Sequence, residues 1–147
     1  MTTRKLRSVI VGCLISATVL TAEGVPQSSL PAESINGTWR LKNSSQENEF
    51  KILALDSAKL KVQFSGLYKY RDGDGHRTAN TGTGNGVAIL KGNAATFVPN
   101  DTTNCKITMR FGRSRLIVDQ EGICGFGFNV TAEGGYKRVS SEKPKFD

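Results

Sequence analysis

The run from Lys59 to Tyr70 does most to restrict what this chain folds into. Leu60, Val62, Phe64, Gly66, Tyr68 and Tyr70 take every second position, and Lys59, Lys61, Gln63, Ser65 and Lys69 stand between them. A period of two puts the two sets on opposite faces of a long, half-buried strand. Shorter runs repeat the pattern. Trp39 and Leu41 mark a strand over Thr38 to Lys42, and Phe50, Ile52 and Ala54 mark one over Asn48 to Leu55. Gly86 to Lys91 and Ala94 to Pro99 pair across Gly92-Asn93. Phe126, Phe128, Val130 and Ala132 alternate in a last strand that reaches Gly135-Tyr136-Lys137-Arg138. No stretch keeps a helical period. About eight short strands joined by tight turns predict an all-β antiparallel meander, closed as a small barrel so that no edge is exposed, with a β-sandwich as the alternative.

Cys105 and Cys124 bracket the one hairpin whose register can be written down. Cys105, Ile107, Met109 and Phe111 alternate with Lys106, Thr108 and Arg110; Gly112-Arg113-Ser114-Arg115 makes a turn, and Leu116-Ile117-Val118 returns. If the cysteines face each other, Ile107 lies opposite Gly122, Met109 opposite Gln120 and Phe111 opposite Val118. Arg110 then meets Asp119, an opposite-charge pair that steadies the register. A Cys105–Cys124 disulfide closes a loop of about 20 residues, worth about 3 kcal/mol in the chain-entropy account, and it needs an oxidising compartment.

The amino terminus supplies the address. Arg4, Lys5 and Arg7 precede an apolar run from Val9 to Leu20, and small residues follow, with Ala22 or Gly24 as the last before cleavage. Residues 1–24 thus read as a secretory leader. The run is shorter than the roughly 20 apolar residues of a membrane span, and Cys13 is discarded with it. Residues 25–35 read as a flexible linker, 36–141 as the domain and 142–147 as a disordered tail. Cleavage after Ala22 removes three cations and no acid, so the net charge falls from +7 to +4. The protein is expected in the periplasm or outside the cell, with no nucleic acid as partner and no membrane span.

Gly37-Thr38-Trp39 on the first strand and Arg138 on the last resemble the Gly-x-Trp and late Arg of the lipocalin and related calycin barrels. The resemblance implies that Arg138 packs over Trp39 to close one end, and that the other end opens as a cup for a small apolar ligand. Phe64, Tyr68 and Tyr70 would line that cup. Phe97, Phe111, Phe126 and Phe128 add enough bulk to fill it instead, which eight strands permit equally. Ser65-Gly66-Leu67-Tyr68 with Lys91-Gly92 resembles the bacterial lysozyme inhibitors, whose Ser-Gly-x-x-Tyr and Lys-Gly segments enter the enzyme's cleft. Here the first motif is one residue shorter, and a basic domain is not steered toward basic animal lysozymes.

Arg71 to Asn85, rich in Gly, Asp, Thr and Asn, reads as a long loop, and such loops often carry function. Asp72, Asp74, His76 and Arg77 make it the candidate contact loop. Asp72-Gly73-Asp74-Gly75-His76 lacks the fifth, sixth and twelfth positions of an EF-hand, so no metal is expected. His76 is the only His. With no base on a scaffold strand and both cysteines spent on the disulfide, no catalytic residues, no cofactor and no enzyme activity are expected. Lys59, Lys61, Lys69 and Arg71 share an outward face that could meet an anionic envelope polymer, although a solvated face is the commoner meaning of such a row. The expected role is non-catalytic binding of an unknown partner: a small ligand in the cup or, as the alternative, an exported protein such as a hydrolase, or an envelope component, met at the surface.

Overall fold

A computed structural model describes residues 30–147; the predicted leader and most of the linker lie outside the described residues. Eight antiparallel strands follow one another around a closed barrel: β1 (Gly37–Lys42), β2 (Gln46–Ala54), β3 (Lys59–Arg71), β4 (Arg77–Lys91), β5 (Ala94–Phe97), β6 (Cys105–Phe111), β7 (Arg115–Gly122) and β8 (Gly134–Ser140). β8 returns to β1, with Trp39 opposite Arg138. Closure leaves the sheet without a free end, which resolves the choice in favour of the barrel. Among the described residues no helix is long and apolar enough to cross a membrane.

The alternation in β1–β3 and β6 is realised as read. Trp39, Phe50, Ile52, Leu60, Val62, Phe64, Ile107 and Met109 point inward and are at most 1% exposed. Phe50 stacks against Phe64 with ring centroids 5.0 Å apart and against Tyr136 at 5.1 Å. Phe126 lies 4.6 Å from Phe64. Offset and edge contacts of this kind add to the stabilisation from burial alone. A 3-10 turn at Ala32–Ile35 closes one end; its carbonyl at Ile35 accepts a bond from Trp39 Nε1 at 3.2 Å. Ala32 and Ile35, expected in a flexible linker, are buried there.

Three expectations about the strands are corrected. First, the Cys105–Cys124 disulfide is present, but the cysteines do not face each other: Cys105 lies opposite Gly122, Met109 opposite Val118 and Phe111 opposite Leu116. Gly112 N donates to Arg115 O at 2.8 Å, which closes a two-residue turn at Arg113-Ser114 and pairs more backbone groups than the longer turn would. Cys124 sits beyond the strand end and curls back to its partner. Arg110 and Asp119 still form an ion pair, now as diagonal neighbours.

Second, the long loop over Arg71 to Asn85 is a turn of only Asp72 to His76; Arg71 ends β3, and residues 77–85 are the first part of β4. Thr81 and Thr83 face outward on it, while Gly82 and Gly84 face inward. Inward glycine left no apolar alternation to read. The glycines are there because another segment presses on them: a Cβ on Gly82 would lie 1.8 Å from Phe126 O, and one on Gly84 would lie 2.7 Å from the Phe126 ring.

Third, that segment, residues 123–133, is not a strand. Gly125, Gly127 and Asn129 have φ of +68°, +110° and +61°, a left-handed turn at every second residue that no strand tolerates. Phe126, Val130 and Ala132 are buried, whereas Phe128 is 78% exposed and contributes nothing to the interior. The carboxy-terminal residues, expected to be a disordered tail, lie along the outside of β2 and β3: Lys51 Nζ meets Asp147 at 2.9 Å, and Lys61 sits 4.4 Å over the Phe146 ring.

Candidate functional site

The predicted cup is occupied by the protein itself. Residues 123–133 connect β7 to β8 across the end of the barrel opposite the 3-10 turn, and form a plug. Its backbone is tied down by inward polar side chains. Asn48, on the inner face of β2 and 2% exposed, donates through Nδ2 to Thr131 O at 2.7 Å. The Tyr136 hydroxyl donates to Ala132 O at 2.7 Å and accepts from Asn48 Nδ2 at 3.3 Å. Gln120 Oε1 accepts from Ala132 N at 2.9 Å, and Asn80 Nδ2 donates to Phe128 O at 2.8 Å. Burial disfavours the phenolate, so Tyr136 ionises well above the usual range despite the opposing bond from Asn48. Such a network is stabilising because its members satisfy one another out of water.

Of the three residues expected to line a cup, Phe64 is fully buried between Phe50 and Phe126, Tyr68 is partly buried and Tyr70 is 40% exposed. Tyr68 and Tyr70 stack on each other, with centroids 6.4 Å apart. Tyr70 instead lines an outer groove of about 660 Å³ with Ser44, Lys69, Arg71, Arg77, Thr78 and Ala79.

That groove exists because β3 and β4 outrun their neighbours. β2 pairs with β3 no further than Tyr68, and β5 pairs with β4 only from Ala88. Beyond Lys69 and Asn80 the hairpin therefore stands clear as a two-stranded ribbon. Its tip is ordered by local bonds: Asp72 Oδ1 accepts from Asp74 N at 3.1 Å and His76 N at 2.8 Å, and Arg71 Nη1 donates to Gly75 O at 2.7 Å. The candidate contact residues Asp72, Asp74, His76 and Arg77 all lie exposed at this tip. Asp72, Asp74 and His76 bring ligand atoms within 4.8 Å of one another. One oxygen of Asp72 is already committed to the turn, which accounts for the cluster without an ion.

Arg71 lies directly opposite Arg77. Like charges facing each other across a strand pair cost stability, so this pair is not explained by the fold. Lys69 is compensated: Glu47 accepts from Lys42 at 2.6 Å and from Lys69 at 2.9 Å. The bond from Lys42, then that from Lys69, pulls the Glu47 carboxyl down to about 2.

A second outer groove, about 430 Å³, runs over Arg40, Glu49, Ser65, Leu67 and Thr83. Ser65 faces outward there, opposite Glu49 and Thr83. Lys91 stands eight residues beyond Thr83 on the same strand, about 26 Å away at the rise of a strand. The two residues suggested by the inhibitor motifs are not brought together. At the closed end Arg138 does lie over Trp39, 5.3 Å from its ring, as the calycin resemblance implies.

Comparison of the chain with protein-family models, with curated proteins and with solved structures finds no match. The plug and its anchors were missed in the sequence. The signal that could have found them is polar Asn48 on an otherwise apolar face, together with paired inward glycines on β4.

Proposed function

We propose that this chain is an exported, non-catalytic binding protein that works by its surface, docking the β3–β4 ribbon into a cleft of another exported protein. The observation that carries the reading is the ribbon itself. It presents Tyr70, Arg71 and Arg77 clear of the barrel around a groove of about 660 Å³. Tyr and Arg dominate the residues that hold protein interfaces together, and a ribbon already ordered by its own turn loses little entropy on docking. The facing Arg71 and Arg77 would find their counter-charge on the partner. The disulfide and the predicted leader support export. A small-molecule carrier is disfavoured by the interior, which is filled by Phe50, Phe64, Phe126 and Tyr136 and plugged by residues 123–133.

The test is site-specific photo-crosslinking in the host's exported fraction, with the photoreactive residue at position 70 and, as control, at outward Thr96 on β5. A discrete adduct from position 70 that Arg71→Gln/Arg77→Gln weakens fits the reading. Equal adducts from both positions, or none from position 70, would falsify it.

A further inference from the structure

At the end of the barrel away from the ribbon, the geometry points to a binding site for a phosphate group, held by Arg113 and Arg138 in the cleft above Trp39. This goes beyond the docking role of the ribbon and does not depend on it. The cleft has a volume of about 150 Å³ and is floored by Ile35, Trp39 and Phe111, with the two arginines and Ser34 among its walls. Drug-sized ligands need pockets of roughly 300–1,000 Å³; this one admits a single small group.

Arg138 is the first observation. Its guanidinium is pinned over Trp39, and Nη2 donates to Asn36 O. Its Nε is buried and donates to nothing, the one side-chain nitrogen or oxygen among the described residues in that condition. A guanidinium has five N–H donors in a planar fork that matches an oxyanion. Here the protein uses one of them, at Nη2, and Nε is shut off from solvent, so the fork is held rigid while the remaining Nη hydrogens are left over for the cleft.

Charge is the second observation, and it is independent. Arg115 faces Lys137 directly on β8, and Lys137 faces Arg40 on β1. Three adjacent strands thus carry a cation at one level, where like charges oppose folding. The only carboxylate continuing that row, Glu49, is held by Arg40 at 2.6 Å. Lys137 and Arg138 point to opposite faces of β8, so the row lies on the outer face beside the rim, and Arg113, in the turn two residues from Arg115, joins it to the cleft. No carboxylate lines the cleft. The positive field concentrates anions at its mouth, and several cations suit the dianionic charge of phosphate better than the single charge of a carboxylate.

The chain has one tryptophan, Trp39, which floors the cleft and reports directly on its occupancy. The experiment titrates the full chain with inorganic phosphate at constant ionic strength, following Trp39 fluorescence and the indole N–H resonance. Acetate serves as the monoanion control. Arg113→Gln, in an exposed turn, is compared with wild type and with Arg71→Gln at the far end. The expected result is a saturable response to phosphate, weaker for acetate. Arg113→Gln should lower the affinity by about tenfold, the usual cost of one charged hydrogen bond, and Arg71→Gln should leave it unchanged. A non-saturable response, or the same response in Arg113→Gln, overturns the site. Phosphatidylglycerol vesicles identify the source of the group: a Trp39 response to vesicles as well as phosphate makes it a lipid headgroup, and a response to phosphate alone makes it a soluble phosphate. Either supports the site.

Discussion

Replacing Gly82 by Ala should unseat the plug, although alanine is a mild change almost anywhere else in a strand. Gly82 lies on the inner face of β4, and its φ is not in the left-handed region, so the substitution carries no backbone strain of its own. The cost comes from space. The new methyl would stand 1.8 Å from Phe126 O, 2.6 Å from its carbonyl carbon and 2.7 Å from its Cβ. An ordinary contact begins near 3.4 Å, so the Phe126 backbone must retreat by about 1.5 Å or leave. Overpacking absorbed by small shifts costs about 1–3 kcal/mol. Loss of the Phe126 ring from Phe64 and Gly84 would cost about 3–5 kcal/mol, as for truncating a buried Phe. A value of about 2–4 kcal/mol follows, which lowers the melting temperature by about 8–16 °C at roughly 4 °C per kcal/mol. Gly73→Ala is the control, because nothing lies within 4 Å of its Cβ position in the same hairpin. Calorimetry measures the loss, and amide hydrogen exchange at Ala132 locates it, since that amide donates to Gln120. If Gly82→Ala melts like Gly73→Ala and Ala132 stays protected, the plug does not sit against β4 and the reasoning fails.

Further outcomes follow from the same contacts. Cys105→Ser or Cys124→Ser should cost about 3 kcal/mol in urea under oxidising conditions, as expected for a 19-residue separation; a reductant should erase the difference from wild type, and equal midpoints without reductant would count against the bond. Tyr136→Phe removes a buried hydroxyl bonded to Ala132 O and Asn48 Nδ2 and should cost about 1–2 kcal/mol by urea midpoint. Because burial raises the Tyr136 pKa, the neutral phenol favours the fold: its contribution is held below the ordinary phenol pKa and lost as pH rises above it. Ultraviolet titration should show one phenol ionising late, a step absent from Tyr136→Phe. Glu47 has the opposite sign. Its carboxyl is lowered from 4.5 to about 2 by Lys42 and Lys69, so its contribution is present above pH 4.5 and lost as pH falls toward 2. The melting temperatures of wild type and Glu47→Gln should therefore converge across that window; parallel curves would show that the ion pairs do not form in solution.

The barrel was legible wherever burial alternates along a strand. β3 reads directly because each inward position from Leu60 to Tyr68 is apolar, aromatic or glycine, and its polar neighbours face water. The reading failed where inward residues contact backbone. Gly82 and Gly84 are small because Phe126 occupies their side-chain space, and composition alone cannot distinguish that from a flexible loop. Phe126, Phe128 and Val130 alternate like a strand, yet the left-handed residues between them turn the chain, so Phe128 leaves the interior. The hairpin register slipped for a related reason. Facing cysteines imply one register, but a tight turn at Arg113-Ser114 pairs more backbone, and the disulfide accepts a diagonal approach. The closing pair Trp39 and Arg138 was visible from their positions on the first and last strands, whereas the cleft beside them also needs Arg113, which only the turn brings there.

Native mass spectrometry of the chain isolated from its own exported fraction tests the central claim, that the barrel is filled and the protein acts by its surface. The expected spectrum holds the chain with its disulfide and no small molecule, together with a complex with a second protein that disappears in Tyr70→Ser. A mass excess of a few hundred daltons that survives in Tyr70→Ser and is lost on denaturation would place a ligand inside the barrel. That result would contradict the account.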